Sequence, residues 1–169
     1  MAQPPARAAA AETPADVHIM LAAHPTVSFY RYLYNHVGKA WNWSERRYLD
    51  YASLAAQIQN PQVQLYVLYL AGVPAGYAEL DMRQAQQPAG AQLAYFGLLP
   101  EFIGRGLGRY FLRWSVQRAW QQQPQRLRVH SCDLDHPRAL GLYQSVGFVL
   151  CATRYEQVRT MPVGSSVEN

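Results

Sequence analysis

The stretch Phe102–Trp114, "FIGRGLGRYFLRW", places Gly104, Gly106 and Gly108 at every second position and then runs straight into an amphipathic pattern. Leu107, Phe111 and Trp114 share one line, with Leu112, Val116 and Ala119 beside them. Arg109, Arg113 and Gln117 fall four apart on the opposite side. That periodicity predicts a helix from about Leu107 to Gln122 with a wide apolar face. Glycine removes the Cβ that would hold a ligand away, and the first amides of a helix are unpaired and point outward. Such a terminus suits a phosphorylated ligand. Two familiar phosphate motifs fail. The dinucleotide pattern G-x-G-x-x-G ends on Arg109 where its last glycine belongs, and no Lys-Ser/Thr follows as a P-loop requires. The glycines alone are equally consistent with a plain tight turn into a buried helix.

Around this stretch the chain alternates strand and helix signals. "VHIMLA" (Val17–Ala22) reads as a strand. "SFYRYLYNHVG" reads as a helix capped by Ser28 and ended at Gly38, and a second helix lies within Ser44–Asn60, stopped by Asn60-Pro61. "VQLYVLYL" and "PAGYAELDMR" flank Ala71-Gly72-Val73 as a hairpin, and "AQLAYFGLL" is a further strand ending at Pro100. "RLRVHSC", "HPRALGLYQSV" and "FVLCATRYEQVR" then read as strand, helix closed by Gly147, and last strand. Asp135 precedes Pro137 as an N-cap would. The order is β-α-α-β-β-β-α-β-α-β, an α/β sheet of mixed direction in one domain, residues 17–160, between a disordered leader (1–16) and a flexible tail (161–169).

The 169 residues are enough for one domain with a proper core, and 50% hydrophobic against 15% charged residues argues for a globular chain. No apolar run approaches the ~20 residues of a membrane span, and the start lacks the apolar region of a secretion signal. Two cysteines, Cys132 and Cys151, make no disulfide framework, so a reduced, cytoplasmic setting is expected. The net charge of +4 slightly favours an anionic ligand, but with no basic block nucleic acid is not expected, and neither is a metal.

The segment Leu98-Leu99-Pro100-Glu101 followed by Ile103-Gly104-Arg105-Gly106-Leu107-Gly108 resembles the signature of the GNAT superfamily of acyl-CoA-dependent N-acyltransferases. That signature is a strand, then [Q/R]-x-x-G-x-[G/A], then a helix. Downstream, "DHPRALGLYQSVGF" resembles the family's second motif, with Ala139, Tyr143, Gly147 and Phe148 at the matching places. The resemblance spans roughly Val17 to Arg159, and both motifs stand on the expected elements at the expected separation. Two positions depart from it. Ile103 replaces Gln or Arg, removing a side-chain contact to the phosphates that Arg105 or Arg109 would have to supply. His136 replaces Asn and either faces the cofactor or lies at the surface.

The resemblance implies a GNAT-like fold with a splayed gap between the fourth and fifth strands. It implies acetyl-CoA as co-substrate, held by Phe96, Gly97 and Leu98, by the loop Ile103, Gly104, Arg105, Gly106, Leu107, Gly108 and Arg109, and by His136 and Tyr143. The Leu98 amide would serve the oxyanion. Tyr143 would protonate the leaving thiolate, although its place in the apolar stripe Ala139, Leu142, Tyr143, Val146 also reads as core. For the base, Glu79 shares a strand face with Tyr77 and Asp81; Tyr95 and His130 are its rivals.

In this family the first two helices wall the acceptor pocket, which implicates Tyr34, Trp41, Trp43 and Tyr95 in substrate binding, Trp41 and Trp43 above the helically spaced aromatics. The implied partners are acetyl-CoA and an amine acceptor, either a small molecule or a peptide or protein amine, with no membrane and with room for a homodimer. The rival reading in another class is a non-catalytic acyl-CoA-binding sensor or scaffold, which would need neither Tyr143 nor a base.

Overall fold

Five strands form one sheet in the computed structural model, which describes residues 1–5, 14–41 and 43–153. They are β1 (Val17–Ala22), β2 (Val63–Leu70), β3 (Val73–Asp81), β4 (Ala91–Leu98) and β5 (Leu127–Val129), lying side by side in that order. The first four pair antiparallel, and β5 joins β4 in parallel. A parallel neighbour requires a crossover, which α3 (Leu107–Trp120) supplies. Helices α1 (Val27–Gly38) and α2 (Tyr51–Ile58) cover the opposite face, and α4 (Ala139–Gln144) follows β5. No helix among the described residues is long and apolar enough to cross a membrane.

Each face buries its own core. Leu107, Phe111, Leu112, Val116 and Ala119, the expected apolar arc of α3, pack on Ala78, Leu80, Leu93 and Leu98. Tyr30, Leu33, Tyr34 and Val37 of α1 pack with Leu54 and Ile58 of α2 on Leu65, Val67 and Tyr77. Because helices cover both faces, β3 is buried without a break from Ala75 to Leu80, and Glu79 is enclosed with it. The β2–β3 hairpin turns through Ala71 and Gly72 at φ of +48° and +81°, the left-handed pair that a two-residue hairpin needs.

Several local expectations change. Helix α1 starts one residue before Ser28, and Thr26 caps it by accepting from the Phe29 amide at 3.2 Å. Helix α4 starts at Ala139, and Asp135 does not cap it. Asp135 Oδ2 accepts from the Cys132 amide and His136 Nδ1 from the Arg138 amide, so both side chains hold the preceding turn. The helix ends before Gly147, whose φ of +99° lets the chain reverse as expected. The last expected strand is absent from Phe148 to Thr153, and the rest of it lies outside the described residues. Beside Leu127 the outer edge of β5 is taken by Met1, which exchanges two backbone hydrogen bonds of 2.9 Å with it. Residues 6–13 of the expected leader and all of the expected tail also lie outside the described residues.

Candidate active site

The pairing of β4 with β5 covers only Ala91, Gln92 and Leu93. At the same point the β3–β4 register slips: Glu79 faces Tyr95 and Leu80 faces Leu93, leaving Ala94 as the extra residue. A bulge bends its strand and increases the local twist. Beyond it, β4 from Ala94 to Leu98 has no partner on its β5 side among the described residues. This is the splayed gap expected from the sequence, and it opens a row of backbone donors and acceptors to a ligand.

Helix α3 begins beside this end of β4. Gly106 is its N-cap at φ +78°, with no side chain capping the first turn, and Gly104 stands at φ +85°. A Cβ built on either glycine would meet nothing within 4 Å, so their requirement is the left-handed backbone and the space in front of it. Gly108 packs the helix onto β4, its would-be Cβ lying 3.7 Å from Leu98 Cδ1. Ile103 is 42% exposed and makes no polar contribution, while Arg105 and Arg109 are exposed. The Arg105 guanidinium rests 5.3 Å from the Phe102 ring centroid, which keeps it beside the loop. Open left-handed glycines, uncapped amides and two free guanidinium groups together suit a pyrophosphate.

Gly97 serves another purpose. A Cβ there would lie 2.4 Å from Val37 Cγ1, so α1 rides directly on the strand. Tyr143, on the α3 side, is 8% exposed, with its ring edge-on to Phe96 and Phe148 at centroid distances of 6.4 and 6.0 Å. Burial, helped by the nearby Asp135 charge, raises its phenol well above the ordinary value, so it stays protonated at neutral pH.

On the opposite face, Tyr34, Trp43 and Tyr95 meet as one aromatic set, with centroid separations of 5.1 to 5.6 Å. Trp43 reaches to 3.7 Å from the would-be Cβ of Gly97. Trp41 does not join them; it packs edge-on against His136 at 5.0 Å, linking the turn after α1 to the loop before α4. His130 lies exposed just past β5.

Glu79 is 1% exposed, and both of its oxygens are taken. Tyr30 donates to Oε2 at 2.6 Å and Arg46 to Oε1 at 2.7 Å. Burial pushes this carboxyl above its ordinary value, with Arg46 and Tyr30 pulling it back. Sequence reasoning missed Arg46, although a carboxylate on a strand covered on both faces needs a cationic partner. It also missed Glu45, an exposed carboxylate that accepts from the Tyr95 hydroxyl at 2.7 Å.

Residues 28–148 match the model of the "Acetyltransferase (GNAT) family". Among solved structures, an aminoglycoside acetyltransferase from an uncultured soil metagenomic sample aligns with a TM-score of 0.66 at 13% identity, covering 87% of this chain and 97% of that one. AAC(6')-Iy, solved with a bisubstrate analogue of CoA and acetylneamine, aligns at 0.62 and 17%, covering 85% and 98%. The IAA acetyltransferase of Bacillus cereus aligns at 0.61 and 22%, covering 80% and 79%. No curated protein matches the sequence. Since the family model spans most of the chain and the strand-gap-helix arrangement is present, this chain is a member of the GNAT acetyltransferase family.

Proposed function

We propose that the chain transfers an acetyl group from acetyl-CoA to a primary amine by direct attack. The observation that carries this reading is the meeting of the end of β4, open on its β5 side among the described residues, with the uncapped, glycine-opened start of α3. Acetyl-CoA supplies the activated acyl group. Gly104–Arg109 bind its pyrophosphate, with Arg105 and Arg109 providing the charge that Ile103 does not. Phe96, Gly97 and Leu98 hold the pantetheine arm along the open edge of β4, and the Leu98 amide donates to the developing oxyanion. Tyr143 donates its phenolic proton toward the departing sulfur.

On the acceptor face, Trp43 and Tyr95 wall the path to Gly97. A primary amine is protonated at neutral pH and must lose that proton before attack. Glu79, closed off by Tyr30 and Arg46, is assigned the role of fixing Arg46 and the Ser44–Tyr48 segment. Glu45, joined to Tyr95, gives the proton a solvent-facing route out. Incubating the protein with acetyl-CoA and a panel of amines, and reading free thiol, tests the reaction. Thiol release that depends on the amine and disappears in Gly106→Val is expected; CoA binding without release on any amine would favour the sensor reading instead.

A further inference from the structure

Between α1 and the Arg46–Tyr48 segment lies a pocket of about 240 Å³. Three guanidinium groups, Arg31, Arg46 and Arg47, and the rings of Tyr30, Tyr34 and Tyr48 line it, and no carboxylate does. Arg46 spends its charge on Glu79 behind the wall. The other two are held by neutral acceptors: Arg31 donates to the Leu49 carbonyl and Arg47 to Asn35 Oδ1, both at 3.0 Å. Neither has a carboxylate within ion-pair distance among the described residues. A guanidinium carries five N–H donors, so each of these keeps several free while already fixed in place. Two immobilised, uncompensated cations facing one small pocket favour an anion, and the forked geometry matches a carboxylate or phosphate.

We propose that this pocket seats an anionic group of the amine acceptor, so that the acceptor is a small molecule with an amine at one end and a carboxylate or phosphate at the other. The proposal rests on the transferase reading above. The pocket adjoins the reaction end of the sheet through two contacts: Arg46 lies 5.3 Å from the Tyr95 ring centroid, and Tyr34 packs on Tyr95 at 5.1 Å. In this proposal an acceptor anchored at Arg31 and Arg47 carries its amine over the wall formed by Arg46 and Tyr34 to the Tyr95 side, toward Gly97. The Tyr48 ring, 55% exposed at the rim, suits an apolar or aromatic body between the two charges. The volume lies below the range for drug-sized ligands, which points to an occupant of amino-acid size. Polycationic acceptors such as the aminoglycosides of the structural neighbours meet the two uncompensated charges of Arg31 and Arg47 here and are disfavoured.

Calorimetry with phenylacetate, phenyl phosphate and the neutral phenylacetamide tests the pocket directly. At least one of the two anions is expected to bind about tenfold or more tighter than the amide, from charge-assisted bonds. The stronger anion identifies the group. Arg47→Gln should erase that preference, while Arg47→Lys, which keeps the charge without the fork, should retain part of it. Equal binding of anions and amide, or an unchanged preference in folded Arg47→Gln and Arg31→Gln proteins, overturns the proposal. In the thiol assay, faster acetylation of polyamines than of acid-bearing amines overturns the acceptor assignment but leaves the transferase reading standing. Failure to bind CoA overturns the transferase reading, whatever the anions do.

Discussion

Arg46 Nη2 lies 2.7 Å from Glu79 Oε1, joining the segment before α2 to the middle of β3 through a carboxylate that is 1% exposed. Removing the cation leaves a buried, uncompensated charge. Arg46→Met is therefore expected to lose about 3–5 kcal/mol of stability, and Glu79→Gln, which keeps an acceptor for Tyr30 and Arg46, distinctly less. Urea denaturation of the two variants measures the difference; losses below about 1 kcal/mol in both would mean that the pair is solvated in solution. If Glu79 only positions Arg46, the pH profile of Glu79→Gln keeps its wild-type shape. Recovery of activity at alkaline pH alone would restore Glu79 as the base.

Gly97 and Val37 make a second coupled pair. With a Cβ at 2.4 Å from Val37 Cγ1, Gly97→Ala forces α1 away from β4 and is expected to cost about 1–3 kcal/mol. Val37→Ala opens the space, so the double variant should be more stable than the sum of the single losses predicts. Simple additivity in a double-mutant cycle would show that the helix does not bear on the strand there.

The order of β1 to β5 and the placement of α1 to α3 were legible because β2 is an almost unbroken run of apolar and aromatic strand formers, the hairpin turn carries its glycine, and α3 repeats its apolar residues at helical spacing. The glycine loop was legible for the same local reason: Gly104 and Gly106 both take the left-handed backbone. What lay beyond local pattern was pairing across the sheet. Glu79 reads like a solvated strand residue until Arg46, thirty-three positions earlier, closes over it. The arginine pocket needs α1 and the Arg46–Tyr48 segment side by side, a juxtaposition that no spacing encodes. Asp135 and His136 were misassigned to α4 because a turn competed for the same side chains.

Gly106→Val separates fold from ligand binding. Its Cβ meets no protein atom, so the stability loss comes from forcing a branched residue to φ +78°, about 1–3 kcal/mol. CoA affinity should fall by tenfold or more, because the side chain occupies the space before the helix amides. A folded variant with wild-type CoA affinity by calorimetry would remove the loop from the cofactor site.

Alkaline pH tests the aromatic interior. Burial raises the phenols of Tyr30, Tyr34, Tyr77, Tyr95 and Tyr143 above their ordinary value, so the folded state holds their protons more tightly than the unfolded chain. Their contribution is complete below the unfolded value of ~10 and is lost as pH rises above it toward the folded values. Chemical denaturation should show stability falling from about pH 10 upward, more gently in Tyr77→Phe. Stability that stays level through pH 11 would contradict the burial of these hydroxyls.

Tyr143→Phe decides the role of the phenol. The ring packs edge-on against Phe96 and Phe148, and those contacts survive the substitution, so stability should change by less than about 1 kcal/mol. A raised phenol keeps its proton at any pH at which the amine can attack, and Phe96 holds it next to β4. It acts where negative charge gathers on the departing sulfur, at the same time as a proton leaves the amine. The turnover number is therefore expected to drop by ~10²-fold or more, with a smaller change in the Michaelis constant for acetyl-CoA, because the hydroxyl matters in the transition state more than in binding. Near-normal turnover in Tyr143→Phe, measured with an accepted amine, would return Tyr143 to the core and make solvent or His136 the proton source.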